Sequence, residues 1–388
     1  MPKKFYITTA IDYTNNRSHL GHALEKVQAD VLARYYRLRG DEVFFLTGTD
    51  EHGAKIVKAS KAAGKEPKEF VDEISGEFRK LLKKLNISND DFIRTSDQIR
   101  HWPAVHKFWK QLKDNGDLYK AKYSGLYCVG HEAFIKKSEL KSGLCLDHQT
   151  EPEKIEEENY FFKLSKYKDK VRKLISEDKI KILPAHRKEE ILQLIKDSED
   201  VSFSRPRKDL QWGIPVPDDP EHMVYVWAEA LMNYISAIGY ANEIPQFKKL
   251  WPADIHLIGK DILRFHTIIW PAMLLAAGLE PPKSVYVHGF ITIDGQKMSK
   301  TVGNVINPFD LIKKYGVDPV RYYLLREIPS YEDGDFSYNK FEVRYNADLA
   351  NNLGNLVSRV VALIDQKFEE KFSYSERFIR KEVNEKIS

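Results

Sequence analysis

The sequence predicts an α/β fold on a doubly wound parallel sheet, and two stretches of the chain predict it. Residues 5–10 form an apolar strand pattern. Leu24, Val27, Val31, Leu32, Tyr35 and Leu38 then recur at helical spacing up to Gly40, and residues 43–47 form a second apolar strand. Strand, helix, strand with a right-handed crossover is the opening of such a sheet. The pattern returns late, where strand-like 255–258 and 285–288 flank a helix-like 262–277. The middle has another texture, with short strand patterns, turn residues, both cysteines and the acidic stretch 151–158. It reads as an insertion between two halves of one nucleotide-binding domain of the Rossmann type.

Residues 1–117 are then the first half of that domain, 118–223 an inserted connective module and 224–325 the second half. A connecting segment, 326–345, leads to an amphipathic helix over 346–364. That helix opens an α-helical domain, 346–388, which is incomplete because one or two helices cannot close a core.

Composition excludes several classes. The chain has 388 residues, 42% hydrophobic and 30% charged, an ordinary globular balance. A formal net charge of +4 permits a polyanionic partner without demanding one. No apolar run reaches the ~20 residues needed to span a bilayer, and the first residues do not read as a signal peptide, so no membrane partner is expected. Two cysteines cannot form a disulfide scaffold and fit a reducing cytoplasm.

Two short motifs carry chemistry. His19-Leu20-Gly21-His22 falls where a strand ends and a helix begins. A helix start offers unpaired N–H groups and the positive end of the dipole, Gly21 lets a ligand lie against the backbone, and each imidazole can donate to phosphate. The bland reading is two surface histidines in a turn. Lys297-Met298-Ser299-Lys300 follows the last strand, with Gly295 ahead of it as a hinge and Thr301 after it. Alone it is a solvated Lys-rich loop. Together, in this order on a split α/β fold, the two motifs make a phosphate clamp: His19 and His22 fixed, Lys297 and Lys300 mobile.

A third pattern lies in the insertion, where Cys128-x-x-His131 and Cys145-x-x-His148 supply the ligand types and spacing of one tetrahedral structural zinc. The alternative is a relic knuckle held by packing.

The blocks TAIDYTNNRSHLGHALEKVQADVLARYYRLRGDEVFFLTGTDEHG, RTSD, GLYCVGHEAF, EEENYFF, SRPR, WGIPVP, VYVWAEALMNYISAIGY, IGKDILRFHTIIWPAML, VHGFITIDGQKMSKTVGN and DPVRYYLL follow one another along nearly the whole chain. In this it resembles the class I aminoacyl-tRNA synthetases and, within them, the methionine-specific family. The resemblance implies an ATP- and Mg²⁺-dependent ligase that forms methionyl-adenylate and transfers it to the 3′ end of tRNA(Met). His19, His22, Lys297 and Lys300 are the implied catalytic set. Gly21, Gly259, Asp261, Ser299 and Thr301 would hold ATP, although Asp261 could equally be a helix N-cap. Ile11, Tyr13, Trp227, Leu231, Tyr234 and His266 would wall a methionine pocket, and Asp50 would grip the α-ammonium group. Aromatic and aliphatic walls suit a thioether, and an acid at the carboxyl end of a parallel strand faces the ligand crevice. Trp227 and Tyr234 could also be plain core aromatics.

Related enzymes often carry cysteine where this chain has His131, and serine where it has Thr301. Arg94, Arg205 and Arg207 are candidates for tRNA phosphates, against solvated or structural roles. The helical segment corresponds to the start of the family's anticodon-binding domain, so a monomer that activates methionine but charges tRNA weakly is expected. Rival readings are the leucyl, isoleucyl, valyl and cysteinyl enzymes and a silent tRNA-binding paralogue. The first three need a larger editing insertion and the cysteinyl type an active-site zinc. Against the paralogue, every expected catalytic position is filled.

Overall fold

The computed structural model describes residues 3–367 except 131–132, 136–139, 147–148, 243 and 299–302. At its centre lies a parallel sheet of seven strands. β1 (Lys4–Thr9) and β3 (Glu42–Asp50) are neighbours, joined by α1 (Leu20–Leu38) as the crossover. The two-residue β2 (Asp12–Tyr13) continues the edge of β3 that β1 leaves, and β4 (Asp91–Arg94) pairs with its other edge. On the far side of β1 follow Ile255–Gly259, Ser284–His288 and Lys181–Leu183. The order of connection therefore reverses at β1, and the crevice at its carboxyl end is where open α/β sheets bind ligands.

The middles of the strands at this switch point are apolar, and Tyr6, Ile7, Phe45, Leu46, Leu257 and Ile258 are inaccessible to solvent. That is the signature of a sheet covered on both faces. α2 (Ala54–Ala62), α3 (Pro67–Lys84) and α4 (Trp102–Asp114) pack around it. Gly48 lies where β3 and β4 approach closely: a Cβ there would sit 2.1 Å from the Ile93 carbonyl oxygen. Only glycine fits.

The helical stripe expected on α1 is half right. Leu24 and Val27 are buried, whereas Val31, Tyr35 and Leu38 are exposed. Glu25, Lys26, Gln28 and Asp30 are buried instead. Asp30 is covered by the helix Val317–Arg326, whose Arg321 reaches it at 2.6 Å and the Leu85 carbonyl at 2.9 Å, while Lys26 turns toward Thr9, Ala10 and Asp12 of the sheet end and Glu25 toward His288. Burial would raise the Asp30 carboxyl, but Ser88, Arg34 and Arg321 hold it below its ordinary value.

Segment 118–223 is not wholly separate from the sheet. Strands Leu118–Cys128, Ala133–Ile135, Glu153–Phe162 and Val201–Ser202 form an antiparallel sheet of their own. Helices Lys168–Ser176 and Ala185–Leu194, however, bracket Lys181–Leu183, which pairs with Ser284–His288. That three-residue edge strand belongs to the body, and its shortness hides it in the sequence.

The connecting segment also holds a strand. Gly334–Phe336 pairs in parallel with Ile291–Ile293, which forms a hairpin with Gln296–Lys297. The C-terminal helical run begins earlier than expected, at Tyr338, and continues through a π segment, Tyr345–Gly354, to Lys367. Leu353, Leu356, Val357, Val360, Val361 and Leu363 are exposed along it.

Candidate active site

His19 is the N-cap of α1, in extended conformation, and forms a reciprocal capping box with His22. The Gly21 amide donates to His19 Nδ1 at 3.1 Å, and the His19 amide donates to His22 Nδ1 at 3.1 Å. Both δ nitrogens are acceptors, so each ring is a neutral tautomer with its proton on Nε2. The rings lie 3.8 Å apart. Burial, together with His19, Lys26 and His288 nearby, lowers the His22 imidazole well below its ordinary value. The pair presents two N–H donors without net charge.

The second motif meets the first. Met298 packs against the apolar cluster to which Leu20, Ala23 and Leu24 of α1 belong, its Cε 3.8 Å from where a Gly21 Cβ would stand. Asp294 and Gly295 both have positive φ, 49° and 76°, as a two-residue hairpin turn requires. Gly295 is thus a tight-turn residue rather than a hinge. Asp335 fixes it, accepting from the Gly295 amide at 2.7 Å and from Thr292 Oγ1 at 2.8 Å. The Lys297 backbone closes the hairpin opposite Thr292. Ser299, Lys300 and Thr301 lie outside the described residues.

At the carboxyl ends of the neighbouring strands stand Gly259 and His288, whose Cα positions pair across the sheet. Gly259, not Asp261, occupies the N-cap of the turn Lys260–Ile262. Asp261 Oδ1 lies 2.8 Å from the position of a Gly259 Cβ, and the His288 ring lies 3.6 Å from it.

The apolar wall is joined by hydrogen bonds. His266 Nδ1 donates to the Ile262 carbonyl at 3.0 Å, which leaves Nε2 to accept from the Tyr234 hydroxyl at 2.7 Å. Burial pushes the His266 imidazole down to about 4, against weaker upward effects of Ile262 and Glu25. Trp227 stacks on Phe265 with ring centroids 4.0 Å apart, so Phe265 joins the wall. Leu231 is buried, while Ile11 and Tyr13 are half-buried. Tyr13 is the Cα partner of Asp50. The Asp50 carbonyl accepts from the Thr14 amide at 2.9 Å and from Thr14 Oγ1 at 3.0 Å, and Thr95 Oγ1 reaches Asp50 Oδ1 at 3.5 Å. Burial raises the Tyr234 hydroxyl, and the charges of Glu25 and Asp50 add to it.

Tyr234 is partly a core aromatic. It is 1% exposed, stacks on His256 at 4.2 Å and accepts a Tyr6 hydroxyl at its carbonyl.

A cluster absent from the sequence reading underlies the crevice. Lys26, 1% exposed, donates to Glu25 Oε1 (2.7 Å), Asp12 Oδ1 (3.0 Å), Thr9 Oγ1 (3.1 Å) and the Ala10 carbonyl (2.9 Å). Glu25 Oε2 meets His288 Nε2 at 3.2 Å. Burial pushes the Asp12 carboxyl up to about 7, even against Lys26. Burial opposes ionisation of Glu25 too, but Lys26 and His288 hold it below its ordinary value. Lys26 thus serves both carboxylates, and burial makes Asp12 the more readily protonated of the two.

Two arginines are structural. Arg94 clasps Glu51 at 2.7 and 2.9 Å and Asp72 at 2.6 Å. Arg205 is buried, donates to Ser202 Oγ and the Ser204 carbonyl, and lies over Tyr225. Arg207 is exposed.

In the insertion, Cys128 and Cys145 share a small buried cluster with Ile135. His131 and His148 lie outside the described residues, among which no group of three or more His, Cys, Asp or Glu side chains could hold a metal.

The depressed His266 value sets a pH dependence of stability. In the unfolded chain a histidine takes a proton near 6.5; in the fold His266 resists it until about 4. Its contribution is complete above pH 6.5 and is lost as pH falls toward 4. Urea midpoints are expected to decline over that window, and less steeply in His266→Phe. Equal slopes in the two proteins would contradict this account.

A family model described as tRNA synthetases class I (M) matches residues 5–147 and 135–361. Among curated relatives, the methionine–tRNA ligase of Thermotoga maritima is 49% identical over 94% of this chain and 58% of its own length. That of Brucella suis is 46% identical over 95% of this chain and 72% of its own. The chain thus spans little more than half of the first of these. Among solved structures, Mycobacterium tuberculosis methionyl-tRNA synthetase in complex with methionyl-adenylate superposes with a TM-score of 0.91 at 41% identity, over 96% of this chain and 75% of that one. The apo form of the same enzyme gives 0.81 at 36% identity, over 97% and 73%.

Proposed function

The chain belongs to the class I tRNA synthetase family of the (M) type, and on that footing we propose that it activates methionine with ATP and passes the methionyl group to the 3′ end of tRNA(Met). The observation that carries the reading is the neutral His19–His22 pair at the head of α1, with Asp50 at the carboxyl end of β3 and the hydrogen-bonded Tyr234–His266 wall.

The methionine carboxylate attacks the α-phosphorus of ATP, forming methionyl-adenylate and releasing pyrophosphate. No side-chain nucleophile takes part, so acceleration comes from positioning and from charge stabilisation. Asp50 holds the α-ammonium group. Ile11, Tyr13, Trp227, Leu231, Tyr234 and His266 enclose the thioether, and the neutral His266–Tyr234 pair offers it no buried charge. His19 and His22 donate from Nε2 to phosphate oxygens, with Gly21 allowing close approach. Gly259 and Asp261 receive the ribose. Lys297 and Lys300, with Ser299 and Thr301 beside them in the sequence, would stabilise the departing pyrophosphate. Mg²⁺ bound to ATP supplies further neutralisation of phosphate charge. The ribose hydroxyl of the tRNA end then attacks the carbonyl of the mixed anhydride, forming the ester as the acyl–phosphate bond breaks and AMP leaves.

The two buried thiols fit the soft half of a structural zinc set completed by His131 and His148. Elemental analysis of protein purified without chelator is expected to find about one zinc per chain; a metal-free protein would remove the knuckle. Residues 118–223 then act as a connective module and 346–388 as the start of an anticodon-binding domain. A reducing cytoplasm suits the thiols. Among the described residues no helix is long and apolar enough to cross a membrane.

The test of the reading is methionine-dependent exchange of labelled pyrophosphate into ATP. Exchange with methionine is expected. Exchange driven only by another amino acid would overturn the substrate assignment.

A further inference from the structure

Three buried titratable groups have no part in that scheme. Glu229 Oε1 meets His52 Nδ1 at 2.9 Å, Glu229 Oε2 meets His101 Nε2 at 2.9 Å, and His101 Nδ1 meets Ser236 Oγ at 2.9 Å. None is more than 1% exposed. They come from three distant segments: the turn after β3, the start of α4, and the short helix Val226–Ala230.

Two of these segments, those of His52 and Glu229, bear on the amino-acid subsite. His52 lies two residues beyond Asp50, in a stretch held on every side. Trp212 Nε1 donates to the Glu51 carbonyl, the Gly53 amide donates to the Trp212 carbonyl at 3.2 Å, and the His52 ring sits edge-on to Trp102 and Trp212. Glu229 lies two residues beyond Trp227 on a five-residue helix. So short a helix has no stability of its own. Residues i and i+2 point to nearly opposite sides of a helix, so a carboxylate anchored inward at 229 sets how the indole at 227 is presented outward.

We propose that Glu229 is a positioning residue of the amino-acid subsite: clamped between His52 and His101, it holds the Trp227 wall in register with the Asp50 ammonium grip. This rests on the assignment of that subsite made above. An apolar pocket distinguishes side chains by ~1–3 kcal/mol per methylene-scale difference, so a small shift of the indole against Asp50 changes methionine recognition. Burial disfavours a lone carboxylate at 229. Two imidazole N–H donors satisfy it, and a glutamine can accept from only one of them without turning its amide hydrogens on the other.

The experiment is steady-state pyrophosphate exchange with both substrates varied, alongside thermal melting, on wild type and Glu229→Gln. Wild type must show methionine-dependent exchange; without it the functional reading itself fails. Given that activity, Glu229→Gln is expected to raise the methionine KM about tenfold, leaving the ATP KM within about twofold and melting cooperative. An unchanged methionine KM overturns the proposal. So does a parallel rise of both KM values with a collapsed melting transition, which marks a merely structural role. Should Glu229→Gln fail to fold, His52→Asn and His52→Leu decide. Asparagine keeps a donor near the Nδ1 position and is expected to recover the methionine KM that leucine loses, and equal KM values for the two overturn the proposal.

Discussion

Lys26→Met is expected to destabilise the protein by about 3–5 kcal/mol, the range for removing one partner of a buried ion pair. Lys26 and Glu25 stand 2.7 Å apart with almost no exposure, and Asp12 shares the same ammonium at 3.0 Å. Without it, Glu25 and Asp12 face each other across a dry interior, with His288 as the remaining cationic neighbour of Glu25. A triple variant, Asp12→Asn, Glu25→Gln and Lys26→Met, removes the charges together and is expected to recover most of the loss, since apolar or neutral replacement of whole buried networks is often nearly neutral. Urea unfolding of wild type, Lys26→Met and the triple variant reads both effects. A loss below about 1 kcal/mol for Lys26→Met, the scale of an exposed pair, would show that the cluster is wetter than its burial implies.

Asp50→Asn is expected to lower kcat/KM for methionine by about 10–150-fold, the equivalent of ~1.5–3 kcal/mol for one charged hydrogen bond. The backbone at this position is held through its carbonyl by Thr14, whatever the side chain. Folding should therefore be nearly unchanged, and the ATP KM also, since the role proposed for this carboxylate is toward the amino acid and not the nucleotide. Exchange kinetics at varied methionine give the ratio directly. A fall smaller than threefold would remove Asp50 from the ammonium site.

Much of this site could be read in the sequence because its chemistry is local. His19 and His22 cap their own helix, so their spacing carries their geometry, and Asp50 follows a long apolar strand whose end is easy to find. What escaped depended on contacts between distant segments. Phe265 became a wall residue only when Trp227 stacked on it. His288 obeys the strand-end rule that singled out Asp50, and the rule could have found it. Glu25 and Lys26 interrupt the apolar stripe between Leu24 and Val27, which was the one cue that they point inward. Periodicity placed Val31, Tyr35 and Leu38 in the core because it is blind to what covers a helix: Arg321 covers Asp30, and Asp12 and His288 draw Lys26 and Glu25 inward. Arg94 was a candidate for tRNA phosphate until Glu51 and Asp72 were seen to hold it.

The capping box at the head of α1 has a last consequence. Each imidazole keeps its δ nitrogen bare to receive a backbone amide, so adding a proton there would break the start of the helix along with the donor array. The two histidines are therefore poor shuttles: the fold fixes their charge state as firmly as their place. On the proposed assignment, His22, held well below the ordinary imidazole value by burial, offers phosphate a standing N–H dipole rather than a charge that comes and goes.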